Sequence, residues 1–142
     1  MSRKKFVLGI GVLLVVISLV GYLRLDQNYD GQLTQEDYAN VLMLKNYNIV
    51  CYKKGCPYCE SSKAAILKAK KKSPMTTFFV DVDSKSGHKV VEKYSIEKAY
   101  SIIVVRDNFA KVYQYAHKDE NGHIGPNQAK IKEVFNDSKK ED

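Results

Sequence analysis

Apolar and polar positions along this chain fall into three regimes. From Phe6 to Leu23 the sequence is an apolar run without a charge. As a helix rising about 1.5 Å per residue it would reach roughly 27 Å, close to the hydrocarbon thickness of a bilayer. The run is apolar all round, which predicts a transmembrane anchor over 6–23 rather than a helix with one core-facing stripe. Residues 24–37 are polar. Beyond them, helical and strand periods alternate. The spacing of Tyr38, Val41, Leu42 and Leu44 predicts a helix over Gln35–Asn46. A strand over Asn48–Tyr52 follows, with Cys51 pointing into the core as a small hydrophobe. A helix over Pro57–Lys72 should stop at Ser73-Pro74. Next come a buried strand over Met75–Val82, a short helix or turn over Ser86–Tyr94 and a β-branched strand over Ser101–Val105. A turn at Asp107-Asn108 should lead into a strand over Phe109–Tyr115. A polar loop, His117–Gly125, then leads to a last amphipathic helix over Asn127–Phe135. The expectation is an α/β domain over 35–137, a central mixed β-sheet flanked by helices in the order βαβ then ββα. A charged tail, 138–142, closes the chain, and no internal repeat is present.

The 142 residues suit one domain plus an appendage. Arg3, Lys4 and Lys5 make residues 1–5 a basic tail, so the expected topology is a single pass with everything after Tyr22 outside the cytoplasm. A cleaved signal peptide is the rival reading. Val16-Ile17-Ser18 imitates a cleavage site, but no A-x-A follows the run and no lipobox cysteine is present. Net charge is +7, from 23 basic and 16 acidic residues. The lysines are spread through helices and tail, with no arginine cluster or aromatic-studded stripe. That pattern implies solvated faces and attraction to anionic membrane lipid rather than to nucleic acid. Three cysteines and no tryptophan exclude a disulfide-stapled miniprotein.

The chemistry is concentrated in Lys53-Lys54-Gly55-Cys56-Pro57-Tyr58-Cys59-Glu60. Two cysteines three apart, between a strand and a helix, form a redox C-x-x-C unit. If Cys56 is the N-cap, Pro57 falls at the first helical position, where its fixed φ suits the helix and its missing N–H is not needed. Cys59 then lies one turn on, within bonding reach of Cys56. The positive end of the helix, with Lys53, Lys54 and Lys63 close in sequence, favours a negative sulfur at Cys56. Cys56 is therefore the expected nucleophile and Cys59 the resolving thiol. Half of a zinc site is the competing reading, with His88, His117, His123 and Cys51 the remaining donors.

The polar segment Asp26-Gln27-Asn28-Tyr29-Asp30-Gly31-Gln32-Leu33-Thr34-Gln35-Glu36-Asp37 resembles an EF-hand loop, and more closely its dockerin variety, which also ends in Asp. Asp26, Asn28, Asp30 and Asp37, with the backbone carbonyl of Gln32, would be the calcium ligands. The alternative is a polar linker in which Thr34 and Asp37 cap the following helix as a capping-box variant. The two readings stand level.

From about Gln35 to Phe135 the chain resembles the thioredoxin family. Tyr94-Ser95-Ile96-Glu97-Lys98-Ala99-Tyr100-Ser101-Ile102-Ile103 is similar to that family's Tyr-x-Ile-x-x-x-Pro-Thr-Leu-Leu segment, and Cys-Pro-Tyr-Cys is the glutaredoxin form of the redox dipeptide. Lys53 stands where glutaredoxins carry a glutathione-carboxylate lysine, although the Gly-Gly and Asp that complete such a site do not follow Val105. The layout is also similar to small anchored thioredoxin-like proteins that accompany bacteriocin exporters. The resemblance implies a thioredoxin-like fold, catalytic Cys56 and Cys59, and Lys53, Pro57, Tyr58, Tyr100 and Ser101 as neighbours of the site. Two positions depart from the family. Val50 replaces its buried carboxylate, so a proton relay must come from water or Glu60. Tyr100 replaces its cis-proline, so a trans, differently shaped loop is expected where substrates dock.

Three function classes follow. The first is an extracytoplasmic thiol–disulfide oxidoreductase, needing no dissociable cofactor and acting on protein thiols or disulfides or on an electron-transfer partner. The second is a non-catalytic accessory protein of an export system. The third is a metal or cluster carrier through the cysteine pair.

Overall fold

The computed structural model describes residues 11–21, 29, 32–40 and 44–136. The chain divides into two units, Met1–Gly31 and Gln32–Asp142. In the first, residues 11–21 are helical (α1). Val12, Leu13, Leu14, Val15, Val16, Ile17, Leu19 and Val20 are all exposed along this helix. Among the described residues no helix is long and apolar enough to cross a membrane. The remaining residues of the run, 6–10 and 22–23, lie outside the described set.

The second unit is mixed α/β. Its elements are α2 (Gln35–Asn40), β1 (Tyr47–Tyr52), α3 (Pro57–Lys72), β2 (Thr77–Asp81), α4 (Lys85–Tyr94), β3 (Ser101–Arg106), β4 (Phe109–Gln114), β5 (Ala116–Lys118), β6 (Ile124–Pro126) and α5 (Gln128–Asn136). Four strands form one sheet in the order β2-β1-β3-β4. β1 runs parallel to β2, and β3 is antiparallel to both β1 and β4. The βαβ then ββα order read from the periodicity is observed in the four-stranded sheet, with a separate two-stranded sheet of β5 and β6 inserted before α5.

Each boundary has a local cause. Ser84 caps α4 by accepting the Gly87 N–H at 2.9 Å. The helix ends at Ser95, in the left-handed region at φ 51°. Ser73 closes α3 by donating its N–H to the Lys70 carbonyl at 3.1 Å, and Pro74 prevents continuation. Asp107 and Asn108 both have positive φ, 48° and 69°, the conformation that a two-residue hairpin turn requires.

Alternation along the strands divides the core. Ile49, Cys51, Val80, Ile103 and Val105 pack with Val90 of α4, flanked by Tyr38, Tyr47 and Tyr94. Tyr94 Oη lies 3.0 Å from Tyr38 Oη and 3.1 Å from Tyr47 Oη, which satisfies three phenols at the edge of that layer. Val50, Phe79, Ile102 and Val104 face the other way and are buried, as are Ile66 and Leu67 of α3 and Ile131, Val134 and Phe135 of α5. The outer edge of β2 is partly covered by Leu33, which bridges to Phe78 and accepts the Phe79 N–H at 2.7 Å.

Three expectations are corrected. The helix begun at Gln35 does not run to Asn46: it is helical to Asn40, residues 41–43 lie outside the described set, and 44–46 are not helical. Sheet contacts claim the end of that segment. Asn46 Oδ1 accepts the Asp107 N–H at 3.1 Å, and the Tyr47 carbonyl accepts from Arg106 at 3.0 Å. The supposed loop His117–Gly125 is instead mostly the β5–β6 hairpin, pairing Ala116 with Pro126 and Lys118 with Ile124. The short helix before β3 begins at Lys85, one residue earlier than expected, because Ser84 serves as its cap.

The close seat of α4 on the end of β2 gives a stability prediction. A Cβ added at Gly87 would lie 1.9 Å from the Asp81 carbonyl oxygen, whereas one at Gly125 would meet nothing within 4 Å. Gly87→Ala should therefore cost at least about 2 kcal/mol in urea denaturation, through backbone displacement. Gly125→Ala should be nearly neutral, and equal midpoints for the two variants would contradict this account.

Candidate functional site

The cysteine turn sits at the carboxyl end of β1, where the chain leaves the central strand and enters α3. Gly55 adopts φ 74°, a conformation that costs glycine little. The turn closes with Cys56 donating its N–H to the Lys53 carbonyl at 3.3 Å. Cys56 is the N-cap of α3 with Pro57 directly after it. Its Sγ accepts the Cys59 N–H at 3.3 Å, taking one of the backbone donors that a helix start leaves free. The arrangement read from the spacing is therefore present: both sulfurs on one turn, Cys56 half-buried and Cys59 only 2% exposed.

Burial pushes the Cys59 thiol up to about 11; its hydrogen bond with Cys56 acts the same way, while Tyr115 and the Lys53 backbone oppose it. Cys51, fully buried in β1, is pushed to about 12, first by burial and then by the neighbouring Cys59. All three cysteines are free thiols.

The expected neighbours divide into those that reach the turn and those engaged elsewhere. Tyr58 and Tyr100 stack face to face, with ring centroids 4.4 Å apart and an interplanar angle of 13°. The loop before β3 thus lies against the cysteine turn, and it carries Tyr100 there; among the described residues no peptide bond is cis. Ser101 is buried at the start of β3, with its hydroxyl donating to the Lys98 carbonyl at 2.7 Å. Lys53 is instead paired with Asp83 at 3.1 Å, both side chains about half exposed. Glu60, one of the two relays considered, is exposed and lies 3.9 Å from Lys63.

A functional residue absent from the sequence reading is Tyr115. It is fully buried, its hydroxyl donates to the Cys51 carbonyl at 2.9 Å, and it hydrogen-bonds the Cys59 thiol. Its ring edge meets Tyr100 at 6.4 Å. The available signal was the two-residue turn at Asp107-Asn108. That turn fixes the β3–β4 register, sets Ser101 opposite Gln114 and so leaves Tyr115 beside Tyr100.

Of the supposed calcium ligands, Asp26, Asn28 and Asp30 lie outside the described residues. Asp37 Oδ2 accepts the Thr34 N–H at 2.6 Å and the Thr34 hydroxyl at 3.0 Å. These bonds hold its carboxyl below the usual range. This is the helix-capping geometry of the alternative reading. Gln32, at the start of this unit, has a buried Oε1 without a hydrogen-bond partner. Among the described residues no group of three or more His, Cys, Asp or Glu side chains could hold a metal ion. No protein-family model matches the chain, and no curated protein matches it.

The raised thiols make stability depend on alkaline pH. Between the ordinary value of 9.0 and about 12, the unfolded chain has released the Cys51 proton while the folded chain retains it. The folded state then binds more protons, so stability falls as pH rises through this window, by at most about 1.4 kcal/mol per pH unit for one group. Urea denaturation of the reduced protein at rising pH should show Cys51→Ala with a shallower decline than the parent. Parallel declines would mean that Cys51 titrates normally in the fold.

Proposed function

We propose that the protein is a thioredoxin-like thiol–disulfide oxidoreductase, held at the cell membrane by an N-terminal anchor with its α/β domain outside the cytoplasm. The observation that carries the reading is the Cys56–Cys59 turn: a half-buried sulfur capping a helix N-terminus, and a second, buried sulfur one turn behind it. Support for the fold assignment is the strand order β2-β1-β3-β4 with β3 antiparallel to β1, and the loop before β3 packed on the cysteine turn. Support for the anchor is the charge-free run after Arg3, Lys4 and Lys5, whose described part exposes large apolar side chains.

In this reading the Cys56 thiolate attacks one sulfur of a substrate disulfide. A Cys56–substrate bond forms, the substrate S–S bond breaks, and the departing thiolate takes up a proton. Cys59 then attacks Cys56, forming the Cys56–Cys59 disulfide and releasing the second substrate thiol. Two electrons pass from the protein dithiol to the substrate, and the reverse sequence oxidises a substrate dithiol. The cysteine pair itself gives up or takes up the two electrons, so the exchange needs no dissociable cofactor.

The Tyr58–Tyr100 stack favours a second reading, a thioredoxin-like accessory protein of an export system. The two rings occupy the side of the turn where the resemblance implies that a substrate backbone docks.

Two experiments separate these readings. In intact protoplasts, Cys59→Ser should hold partners on Cys56 as adducts that reductant releases and added protease destroys. Adducts that survive protease would put the domain on the cytoplasmic face. The absence of adducts, together with a Cys56 inert to small disulfides, would favour the accessory protein. Second, Tyr100→Ala should speed reduction of a folded protein disulfide several-fold more than reduction of a small one, because it opens the docking side and leaves Cys56 on its cap. Equal effects on both substrates would remove Tyr100 as a barrier to docking.

A further inference from the structure

The exchange proposed above leaves one problem to the protein, the proton on Cys59. Resolution requires that sulfur to act as a thiolate. It is 2% exposed and its thiol is held up to about 11. Val50 occupies the inward β1 position, Glu60 lies beside Lys63 and Lys53 is paired with Asp83. Among the described residues, the titratable side chains that act on the Cys59 thiol are Cys56 and Tyr115, and the one that acts on Cys51 is Cys59.

Tyr115 is positioned by its own backbone. Its N–H donates to the Tyr100 carbonyl at 3.1 Å and its carbonyl accepts the Asn127 N–H at 2.8 Å. The side chain is fully buried and cannot be replaced by water without rearrangement. A phenol has a single hydrogen, and here it is donated to the Cys51 carbonyl at 2.9 Å. While Cys59 is a thiol, the phenolic oxygen is left to accept from the S–H. Once that sulfur carries charge, it becomes the stronger acceptor of the same hydrogen.

We propose that Tyr115 is a catalytic residue of the resolving step, its hydroxyl turning from the Cys51 carbonyl to the Cys59 sulfur as negative charge develops there and returning when the disulfide forms. The step balances without a further reactant. Cys59–SH and Cys56–S–S–R give the Cys56–S–S–Cys59 disulfide and R–SH. The Cys56–R bond breaks, the Cys56–Cys59 bond forms, and the Cys59 proton passes to the departing thiolate. Tyr115 keeps its own proton and contributes a hydrogen bond to a buried anion. Such a bond is worth more than a neutral one. The proposal rests on the thiol–disulfide exchange reading, and the test separates the two.

The test uses the full chain and a symmetrical chromogenic aromatic disulfide, which releases one coloured thiolate when Cys56 attacks and a second when Cys59 resolves. Tyr115→Phe keeps the ring and removes the hydroxyl. The first release should be unchanged. The second should slow about tenfold or more near neutral pH, with the gap narrowing as pH rises and Cys59 ionises unaided. Purely structural damage would slow the second release without that pH profile. Equal second-phase rates and profiles in parent and variant would overturn the role of Tyr115. A parent protein with no first release would overturn the exchange reading itself, and this proposal with it. If Tyr115→Phe does not fold, a fluorinated tyrosine placed at position 115 supplies a stronger donor, and the second release should quicken near neutral pH. No change in rate with that residue would likewise overturn the proposal.

Discussion

One sulfur caps the start of a helix and, in the proposed function, also meets a substrate. Cys56 accepts the Cys59 N–H at the start of α3, so the atom expected to react also closes the helix end at the C-terminal edge of β1. The surrounding turn serves that dual use. Gly55 supplies the positive φ, Pro57 starts the helix without an N–H, and β1 lies at the centre of the sheet between β2 and β3. Because the cap is a soft acceptor and not a hydroxyl, it can leave its hydrogen bond for a covalent partner without breaking the helix behind it. Sixteen residues of α3, anchored by Ile66 and Leu67, hold the turn against the sheet.

Behind that turn the site is built from tyrosines. Tyr58 and Tyr100 stack over it, Tyr100 meets Tyr115, and Tyr115 reaches the Cys51 carbonyl under the cysteine pair. Cys59 is buried here, and the one hydroxyl that hydrogen-bonds it is that of Tyr115. A carboxylate in the same place would bring its own charge into the buried layer, next to a sulfur that in the proposed exchange also becomes negative. A phenol avoids that repulsion. Its strength as a proton acceptor is correspondingly small, so in the proposed exchange it would stabilise charge and not carry protons away.

Much of this was legible in the sequence where local chemistry decides structure. α3 spans Pro57–Lys72 as read, because Cys56-Pro57 begins a helix and Ser73-Pro74 ends one by their own conformational limits. The β3–β4 hairpin was legible for the same reason, since Asp107-Asn108 tolerate positive φ. What was missed depends on distant partners. β5 and β6 are three residues each, too short for a period to show, and exist through their pairing with one another. The overrun of the helix from Gln35 reflects the claims of Asp107 and Arg106 on Asn46 and Tyr47, about sixty residues away in sequence. Tyr115 read as the last residue of a strand; its role comes from crossing to Cys51 and Cys59, which no run of neighbours encodes.

Among the described residues β4 pairs with β3 alone, and its residues are nearly all exposed, with Phe109 at 79%. Such an edge offers unpaired backbone N–H and C=O groups to a second chain. Lys111 stands in the middle of the strand with Phe109 and Val112 close by. If two copies joined their β4 edges antiparallel in the register that sets Lys111 opposite Lys111, the two ammonium groups would lie on one face close together, and like charges across a strand pair repel. A single lysine thus discourages one register of self-pairing along that edge.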